Sequence, residues 1–161
     1  FAIGVVVIDI LKGFISVNYL SSLDFISSNT LISHELIQIL CGVGAVMGHV
    51  YPLFYNFQGG KGAGTLIGIV AALLPFKCLL LAVLAWLVTL ILTGFVGLGT
   101  IIAGIVLSIT SFLYSSKIEY FYFSLSMAIF IIFTHRSNIK RMINGNENQF
   151  KKIMLIKKFK K

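Results

Sequence analysis

A glycine-rich stretch in the first half of the chain, residues 48–65, holds residue types that bind phosphate. It contains five of the fifteen glycines and one lysine, Lys61, and long apolar runs flank it on both sides. Backbone N–H groups without side chains in the way can point at an anion, a following helix N-terminus adds partial positive charge, and a lysine adds a full charge. We therefore expect Lys61 and its neighbouring glycines to bind a phosphate group.

A second stretch, residues 134–147, combines an imidazole with an amide. His135 and Asn138 are three residues apart, so on a helix both would project from one face. Such groups together can orient and polarise a hydroxyl nucleophile or hold a phosphoryl oxygen, and basic side chains nearby add positive charge. The alternative is a basic helix beside the membrane that binds lipid headgroups, and the spacing alone favours this alternative.

Two charged residues, Asp9 and Lys12, lie within the first apolar run. Three residues apart on a helix, they share a face. Charged residues at membrane depth are costly and are usually either paired or functional. Because each has a partner within one helical turn, we expect a structural ion pair rather than a functional site.

Several familiar catalytic motifs are missing from the sequence. Lys61 is followed by Gly62, whereas a Walker P-loop requires Ser or Thr after its lysine, so nucleotide hydrolysis is unsupported. No histidine is followed five residues later by aspartate, and neither a Gly-x-Ser-x-Gly elbow nor a His-Glu-x-x-His site occurs.

The elements that must position these residues are membrane helices. The chain is 58% hydrophobic and 11% charged, with a mean hydropathy of +0.98, whereas soluble domains carry roughly 25% charged residues. Six apolar segments cover about 1–20, 34–54, 62–75, 77–94, 97–114 and 118–135. Since crossing the bilayer takes about 20 residues, the first, second, fourth and sixth are long enough, the third is short and the fifth is marginal. The sequence thus predicts an all-α, polytopic membrane bundle of about six helices, two of them short.

The positive charge is concentrated at the C-terminal end. The net charge is +8, and nine of the thirteen Lys and Arg residues lie at or after Arg136. A basic tail after a membrane helix is typical of a cytoplasmic anchor near anionic lipid, and nucleic-acid binding is not expected. We therefore predict a transmembrane bundle over 1–135 and a basic cytoplasmic tail over 136–161. Counting back by alternation places the glycine-rich loop on the cytoplasmic face as well.

Three motifs, in the right order, resemble those of the bacterial acyl-phosphate:glycerol-3-phosphate acyltransferases, the PlsY family. The second signature of that family resembles Gly48-His49-Val50-Tyr51-Pro52-Leu53-Phe54 followed by Phe57-Gln58-Gly59-Gly60-Lys61-Gly62. The third resembles His135-Arg136-Ser137-Asn138-Ile139-Lys140-Arg141 followed by Gly145-Asn146-Glu147. Asp9-Ile10-Leu11-Lys12-Gly13 resembles the Asp-x-x-Lys-Gly of its second membrane helix.

The resemblance implies a seven-helix fold with the active site at the cytoplasmic face of the bacterial inner membrane. Six segments that start within the second helix are what a chain without the first helix would show, and Phe1 is not a methionine. The first family signature, a Gly-Ser-Gly-Asn-like loop, is absent from the sequence. We expect the chain to lack the first helix and this signature.

The implied reaction is transfer of a fatty acyl group from acyl phosphate to the 1-hydroxyl of glycerol 3-phosphate, which yields lysophosphatidic acid and phosphate. An acyl phosphate is already activated, so no cofactor, metal or covalent nucleophile is expected. The partners implied are glycerol 3-phosphate, fatty acyl phosphate and membrane lipid. The implied catalytic residues are His135, Asn138 and Lys61; the substrate-binding residues are Gly48, His49, Gly59, Gly60, Lys61 and Gly62; and the structural residues are Glu147, Asp9 and Lys12.

Two alternative functions stay open at the level of sequence. Short helices, a glycine-rich break and cytoplasmic positive charge would also suit a small transporter subunit for phosphate or another anion. The missing first signature would also suit an inactive remnant of the family. The sequence alone sets no oligomeric state.

Overall fold

The computed structural model describes residues 2–23, 32–150 and 154, and this part of the chain is helical, with turns between the helices. Within the described ranges seven α-helices follow one another: α1 (Ala2–Asn18), α2 (His34–Val50), α3 (Ala63–Leu73), α4 (Phe76–Thr93), α5 (Val96–Tyr114), α6 (Ile118–Thr134) and α7 (Arg136–Ile143). Single 3-10 turns lie at Leu20–Ser22 and Leu53–Tyr55. The predicted all-α class is confirmed. Phe1 and most of the predicted tail beyond Phe150 lie outside the described residues, and the division at residue 135 stays a prediction.

Four helical segments in the described residues are long and apolar enough to cross a membrane: Ile3–Ser22, His34–Tyr55, Phe76–Thr93 and Val96–Tyr114. The fifth apolar segment is therefore not marginal, because its helix begins at Val96 and runs for 19 residues. The sixth is shorter than expected: α6 has 17 residues and passes the same test only together with α7, from which it is bent by 53°. The third segment is short as predicted, since α3 has 11 residues.

The chain forms two compact units, residues 1–76 and 77–161. In the first unit α1 packs against α3 and α2. The α1–α3 contact is close enough to require glycine on both sides. A Cβ atom on Gly13 would overlap the carbonyl oxygen of Thr65, and one on Gly68 would overlap the carbonyl oxygen of Ile10. Small residues let membrane helices approach to backbone contact in this way.

In the second unit α5 packs along α6, and α7 contacts both. The α5–α6 contact also uses small residues, since a Cβ atom on Gly104 would lie 3.5 Å from the Cα atom of Ala128. The hydroxyls of Ser108 and Ser124 are buried here, and each donates to a carbonyl of its own helix. Their polar groups are thus satisfied locally and leave an apolar surface for packing.

We predict that Gly68→Ala destabilises the protein whereas Gly44→Ala does not. The added methyl group at Gly68 must push α1 away, and overpacking typically costs roughly 1–3 kcal/mol. A Cβ atom on Gly44, in the middle of α2, meets nothing within 4 Å, so alanine there should stabilise by about 0.5–1 kcal/mol. Thermal unfolding of both variants in detergent measures the difference, and equal melting temperatures would contradict the close α1–α3 contact.

Candidate functional site

Three charged or polar side chains of the first unit form a cluster between the middle of α1 and the last turn of α2. Lys12 Nζ donates to Asp9 Oδ1 at 2.7 Å, which is the ion pair predicted from the spacing. The same Nζ lies 2.5 Å from Nδ1 of His49, and that nitrogen is 3.4 Å from Asp9 Oδ1. Because an ammonium group can only donate, Nδ1 is the acceptor, and the neutral imidazole carries its proton on Nε2. His49 therefore belongs with the Asp9–Lys12 pair, which the sequence analysis treated separately.

The glycine-rich loop folds back onto the end of α2. The N–H of Gly59 donates to the carbonyl of Val50 at 3.1 Å, and the N–H of Gly60 donates to the carbonyl of His49 at 3.2 Å. A Cβ atom on Gly60 would overlap the His49 ring at Nε2. Two of the N–H groups expected to face a phosphate are thus used inside the loop, and these two glycines act by permitting close approach to α2.

The loop then starts α3 in a geometry that suits an anion. Gly62 has φ +83° and precedes the first helical residue, Ala63. Gly62 is the N-cap residue but offers no side-chain oxygen to the first N–H groups of α3. These are the groups that helix termini leave for a ligand. Lys61 lies directly before this position. Thr65 in the first turn is fully buried, and its hydroxyl has no hydrogen-bond partner among the described residues.

Asp9 lies beside this helix start. A Cβ atom on Gly64 would come within 3.0 Å of the Asp9 Cβ atom, so α1 brings the charged cluster to the first turn of α3. Gly48, the first residue of the predicted set, is exposed in the last turn of α2, and a Cβ atom there would meet nothing within 4 Å. Packing thus gives a reason for glycine at positions 59, 60 and 64, and none at position 48.

In the second unit the predicted pairing of His135 and Asn138 on one helix face is wrong in detail. His135 belongs to neither helix. It lies between Thr134, the last residue of α6, and Arg136, the first residue of α7, at the 53° bend. Its ring is 4% exposed, and Nδ1 lies 2.9 Å from the carbonyl oxygen of Ile131. Since a carbonyl only accepts, Nδ1 carries the proton, and Nε2 is the basic nitrogen of the neutral ring.

Asn138, in the first turn of α7, is held by a carboxylate. Its Nδ2 donates to Glu147 Oε1 at 2.6 Å, and Arg141 Nε donates to the other oxygen, Oε2, at 2.5 Å. Gly145, with φ +69°, reverses the chain after α7, and the N–H of Asn146 donates to the carbonyl of Arg141 at 2.8 Å. This turn brings Glu147 back to Asn138, nine residues earlier in the chain. The amide orientation directs Oδ1, an acceptor, away from the carboxylate.

Gly97 also lies against the side chain of Asn138. The sequence does not predict this contact. A Cβ atom on Gly97, in the first turn of α5, would lie 3.0 Å from the Asn138 side chain. In the sequence Gly97 begins the fifth apolar segment among several other small residues, so nothing distinguishes it from a residue of ordinary helix packing.

Comparison with known proteins identifies the family. The family model described as Glycerol-3-phosphate acyltransferase matches residues 1–145. The chain belongs to this family. A glycerol-3-phosphate acyltransferase of Halalkalibacterium halodurans is 32% identical over 152 residues, covering 92% of this chain and 70% of the relative. One from Prochlorococcus marinus is 35% identical over 150 residues, covering 92% and 72%.

Solved structures of the acyltransferase PlsY (YgiH) share the fold. The crystal structure of this integral membrane glycerol 3-phosphate acyltransferase in its glycerol 3-phosphate form matches with a TM-score of 0.78 at 31% identity, over 92% of this chain and 70% of that one. Its lysophosphatidic acid form matches equally well. Together with the apolar helices, these matches show that this member of the glycerol-3-phosphate acyltransferase family is a multi-pass membrane protein.

We predict that Gly60→Ala lowers acyltransferase activity, whereas Gly44→Ala, on α2 with open space around an added Cβ atom, leaves it near the wild-type level. The methyl group at position 60 would overlap the His49 ring and displace the loop that precedes Lys61. Relief of such overlap costs roughly 1–3 kcal/mol, so kcat/KM should fall about tenfold or more. Steady-state kinetics on membranes with matched protein levels measures the effect. Equal losses in both variants would show that the loop is not held against His49.

We also predict that Glu147→Ala lowers kcat far more than Arg141→Ala does. Loss of the carboxylate leaves the Asn138 amide unanchored, and a hydrogen bond to a charged group contributes roughly 1.5–3 kcal/mol, which corresponds to about 10- to 100-fold. Arg141 is 46% exposed, and its removal keeps the Asn138–Glu147 bond, so that loss should stay below about fivefold. Similar kcat values for the two variants would exclude an orienting role for Glu147.

Proposed function

We propose that the protein transfers a fatty acyl group from an acyl phosphate to the 1-hydroxyl of glycerol 3-phosphate, with lysophosphatidic acid and inorganic phosphate as products. Family membership supports the acceptor, and the solved PlsY structures include a glycerol 3-phosphate form and a lysophosphatidic acid form. The observation that carries the proposal is the start of α3. There Lys61 and a helix N-terminus without a side-chain cap lie beside the Asp9–Lys12–His49 cluster.

In this proposal the start of α3 binds the phosphate of glycerol 3-phosphate. The N–H groups of the first helical turn supply directed donors, and Lys61 supplies the neutralising charge. Gly62 allows the chain to enter the helix at positive φ, and Gly59 and Gly60 seat the loop on α2. The His49 ring contacts Gly60 and so positions the loop. The Asp9–Lys12 pair fixes the tautomer of this ring.

His135 and Asn138 act on the reacting hydroxyl. The hydroxyl oxygen attacks the acyl carbonyl carbon, a new carbon–oxygen ester bond forms, and the carbon–oxygen bond to phosphate breaks. The hydroxyl proton ends on the departing phosphate, relayed by Nε2 of His135. Asn138 Oδ1 accepts the hydrogen bond that aims the hydroxyl, and Glu147 holds the amide in that orientation.

Because the proposed donor is an already activated acyl phosphate, the reaction needs no covalent nucleophile on the protein. Phosphate is a good leaving group, so the energetic task is to place two anionic substrates together and to stabilise charge as it shifts. Because the donor carries a long acyl chain and a phosphate, the site must lie where lipid meets water. We place this site and the C-terminus on the cytoplasmic side of the bacterial inner membrane, in accord with the basic residues after α6.

The experiment uses membranes containing the protein expressed from its own locus, with all upstream coding sequence retained. Labelled glycerol 3-phosphate is supplied with either a fatty acyl phosphate or the matching acyl-CoA. We expect lysophosphatidic acid from the acyl phosphate and none from acyl-CoA. Product from acyl-CoA alone, or no product from folded and inserted protein, would contradict the proposal.

In the same assay we expect Lys61→Ala to raise the KM for glycerol 3-phosphate about 10- to 100-fold, because a hydrogen bond to a charged group contributes roughly 1.5–3 kcal/mol. Lys77→Ala is the matched control, since Lys77 lies in the first turn of α4 over the ring of Tyr114, away from the glycine-rich loop in sequence. An unchanged KM for glycerol 3-phosphate in Lys61→Ala would show that Lys61 does not bind the phosphate.

A further inference from the structure

The turn between α4 and α5 is bonded to the segment that follows Glu147. Gly94 is the first residue after α4, and its N–H donates to the carbonyl of Leu90 at 2.7 Å. The carbonyl of Gly94 accepts the N–H of Phe150 at 2.9 Å. A Cβ atom on Gly94 would lie 2.7 Å from Sδ of Met154, so the absence of a side chain allows the segment to approach the turn.

The conformation of this turn is itself fixed by neighbouring groups. Gly94 has φ +74°, a left-handed value that residues with a side chain rarely adopt. The hydroxyl of Thr93 donates to the carbonyl of Thr89 at 2.7 Å and accepts the N–H of Phe95 at 3.2 Å. Hydrogen bonds on both sides of Gly94 therefore hold the direction of its carbonyl.

The same turn leads into the residue that contacts Asn138. A Cβ atom on Gly97, three residues after Gly94, would lie 3.0 Å from the Asn138 side chain. The amide of Asn138 donates at 2.6 Å to Glu147, whose side chain is 8% exposed. Three residues beyond Glu147 the chain returns to Gly94 through the N–H of Phe150. Both partners of the amide–carboxylate bond are thus placed against one turn of the backbone.

The Gly94–Phe150 hydrogen bond holds Glu147 from the side that the local turn does not. On the N-terminal side of Glu147, the N–H of Asn146 donates to the carbonyl of Arg141 and ties the chain to α7. On the C-terminal side, the Gly94–Phe150 hydrogen bond ties it to the turn between α4 and α5. With both ties in place the backbone at Glu147 has little freedom, so its carboxylate stays at the amide.

We infer that Gly94 is a positioning residue for acyl transfer. Its hydrogen bond to Phe150 holds Glu147 at Asn138 and so keeps Oδ1 of that amide directed at the reacting hydroxyl. The inference rests on the proposed role of Asn138, and it requires that the effect on turnover pass through Glu147. A tie that only fastens the C-terminal segment would change kcat, if at all, by the same factor with and without that carboxylate.

The test removes the hydrogen-bond donor and keeps the segment. Phe150→Pro has no backbone N–H. Phe150→Ala keeps the N–H and is the matched control, since the Phe150 side chain is 56% exposed. With matched protein levels in membranes, we expect kcat of Phe150→Pro to fall about 3- to 10-fold, the usual effect of losing one hydrogen bond, and kcat of Phe150→Ala to stay within about twofold of the wild type.

The KM for glycerol 3-phosphate should not change in either variant, because its phosphate is proposed to bind at the start of α3. Equal kcat values for inserted Phe150→Pro and Phe150→Ala proteins would overturn the inference. So would a loss confined to KM.

A double-mutant cycle with Glu147→Ala separates positioning from fastening. Once the carboxylate is gone, the Gly94–Phe150 hydrogen bond has nothing left to hold at Asn138. Adding Phe150→Pro should then lower kcat by less than about twofold further. The full 3- to 10-fold loss in both backgrounds would show that the bond acts independently of Glu147, against the inference.

Gly94→Ala repeats the cycle from the acceptor side and replaces Phe150→Pro if that protein fails to insert. The methyl group of alanine would overlap Met154 at a strained φ, and kcat should fall with the same dependence on Glu147. Wild-type protein that makes no lysophosphatidic acid from acyl phosphate and glycerol 3-phosphate would overturn the proposed function, and this inference with it. An active wild type in which the two losses multiply would overturn this inference alone.

Discussion

Backbone contact between α1 and α3 is the constraint on which the first unit depends. Gly13 and Gly68 have no side chains, so each helix lies against a carbonyl oxygen of the other. That approach places Asp9 beside Gly64 in the first turn of α3, and it leaves Lys12 within reach of His49. Charged groups in a membrane helix need partners. Asp9 and Lys12 pair within α1, and His49 of α2 contacts both. The phosphate site proposed at Lys61 thus depends on glycines that would not touch the ligand.

In the second unit a bend between two helices positions the polar side chains. The chain bends at His135 and turns back at Gly145, and these two changes of direction bring Glu147 to Asn138. The histidine ring is held by a carbonyl of the preceding turn and the amide by a carboxylate. Each polar side chain is therefore oriented by a group within ten residues of it in the sequence.

Local features of this structure could be predicted from the sequence, and contacts between distant segments could not. Composition and run length predict the helices and the short α3, and three-residue spacing predicts the Asp9–Lys12 pair. The contact of His49 with Lys12 spans 37 residues, and no periodicity encodes it. The end of the apolar run predicts a boundary after residue 135, but not the 53° bend there, because composition does not set the angle between two helices. The roles of Gly13, Gly68 and Gly97 depend on what lies opposite each glycine, which a single sequence does not specify.

In the proposed reaction the hydroxyl of glycerol 3-phosphate attacks the carbonyl carbon of an acyl phosphate. A donor whose bridging oxygen, between the carbonyl carbon and phosphorus, is a heavy isotope tests this most directly, with glycerol 3-phosphate as acceptor and mass analysis of both products. If attack is at the carbonyl carbon, all of the label leaves in inorganic phosphate and the lysophosphatidic acid is unlabelled. Label retained in a released fatty acid, with the phosphoryl group moved to the acceptor, would contradict it.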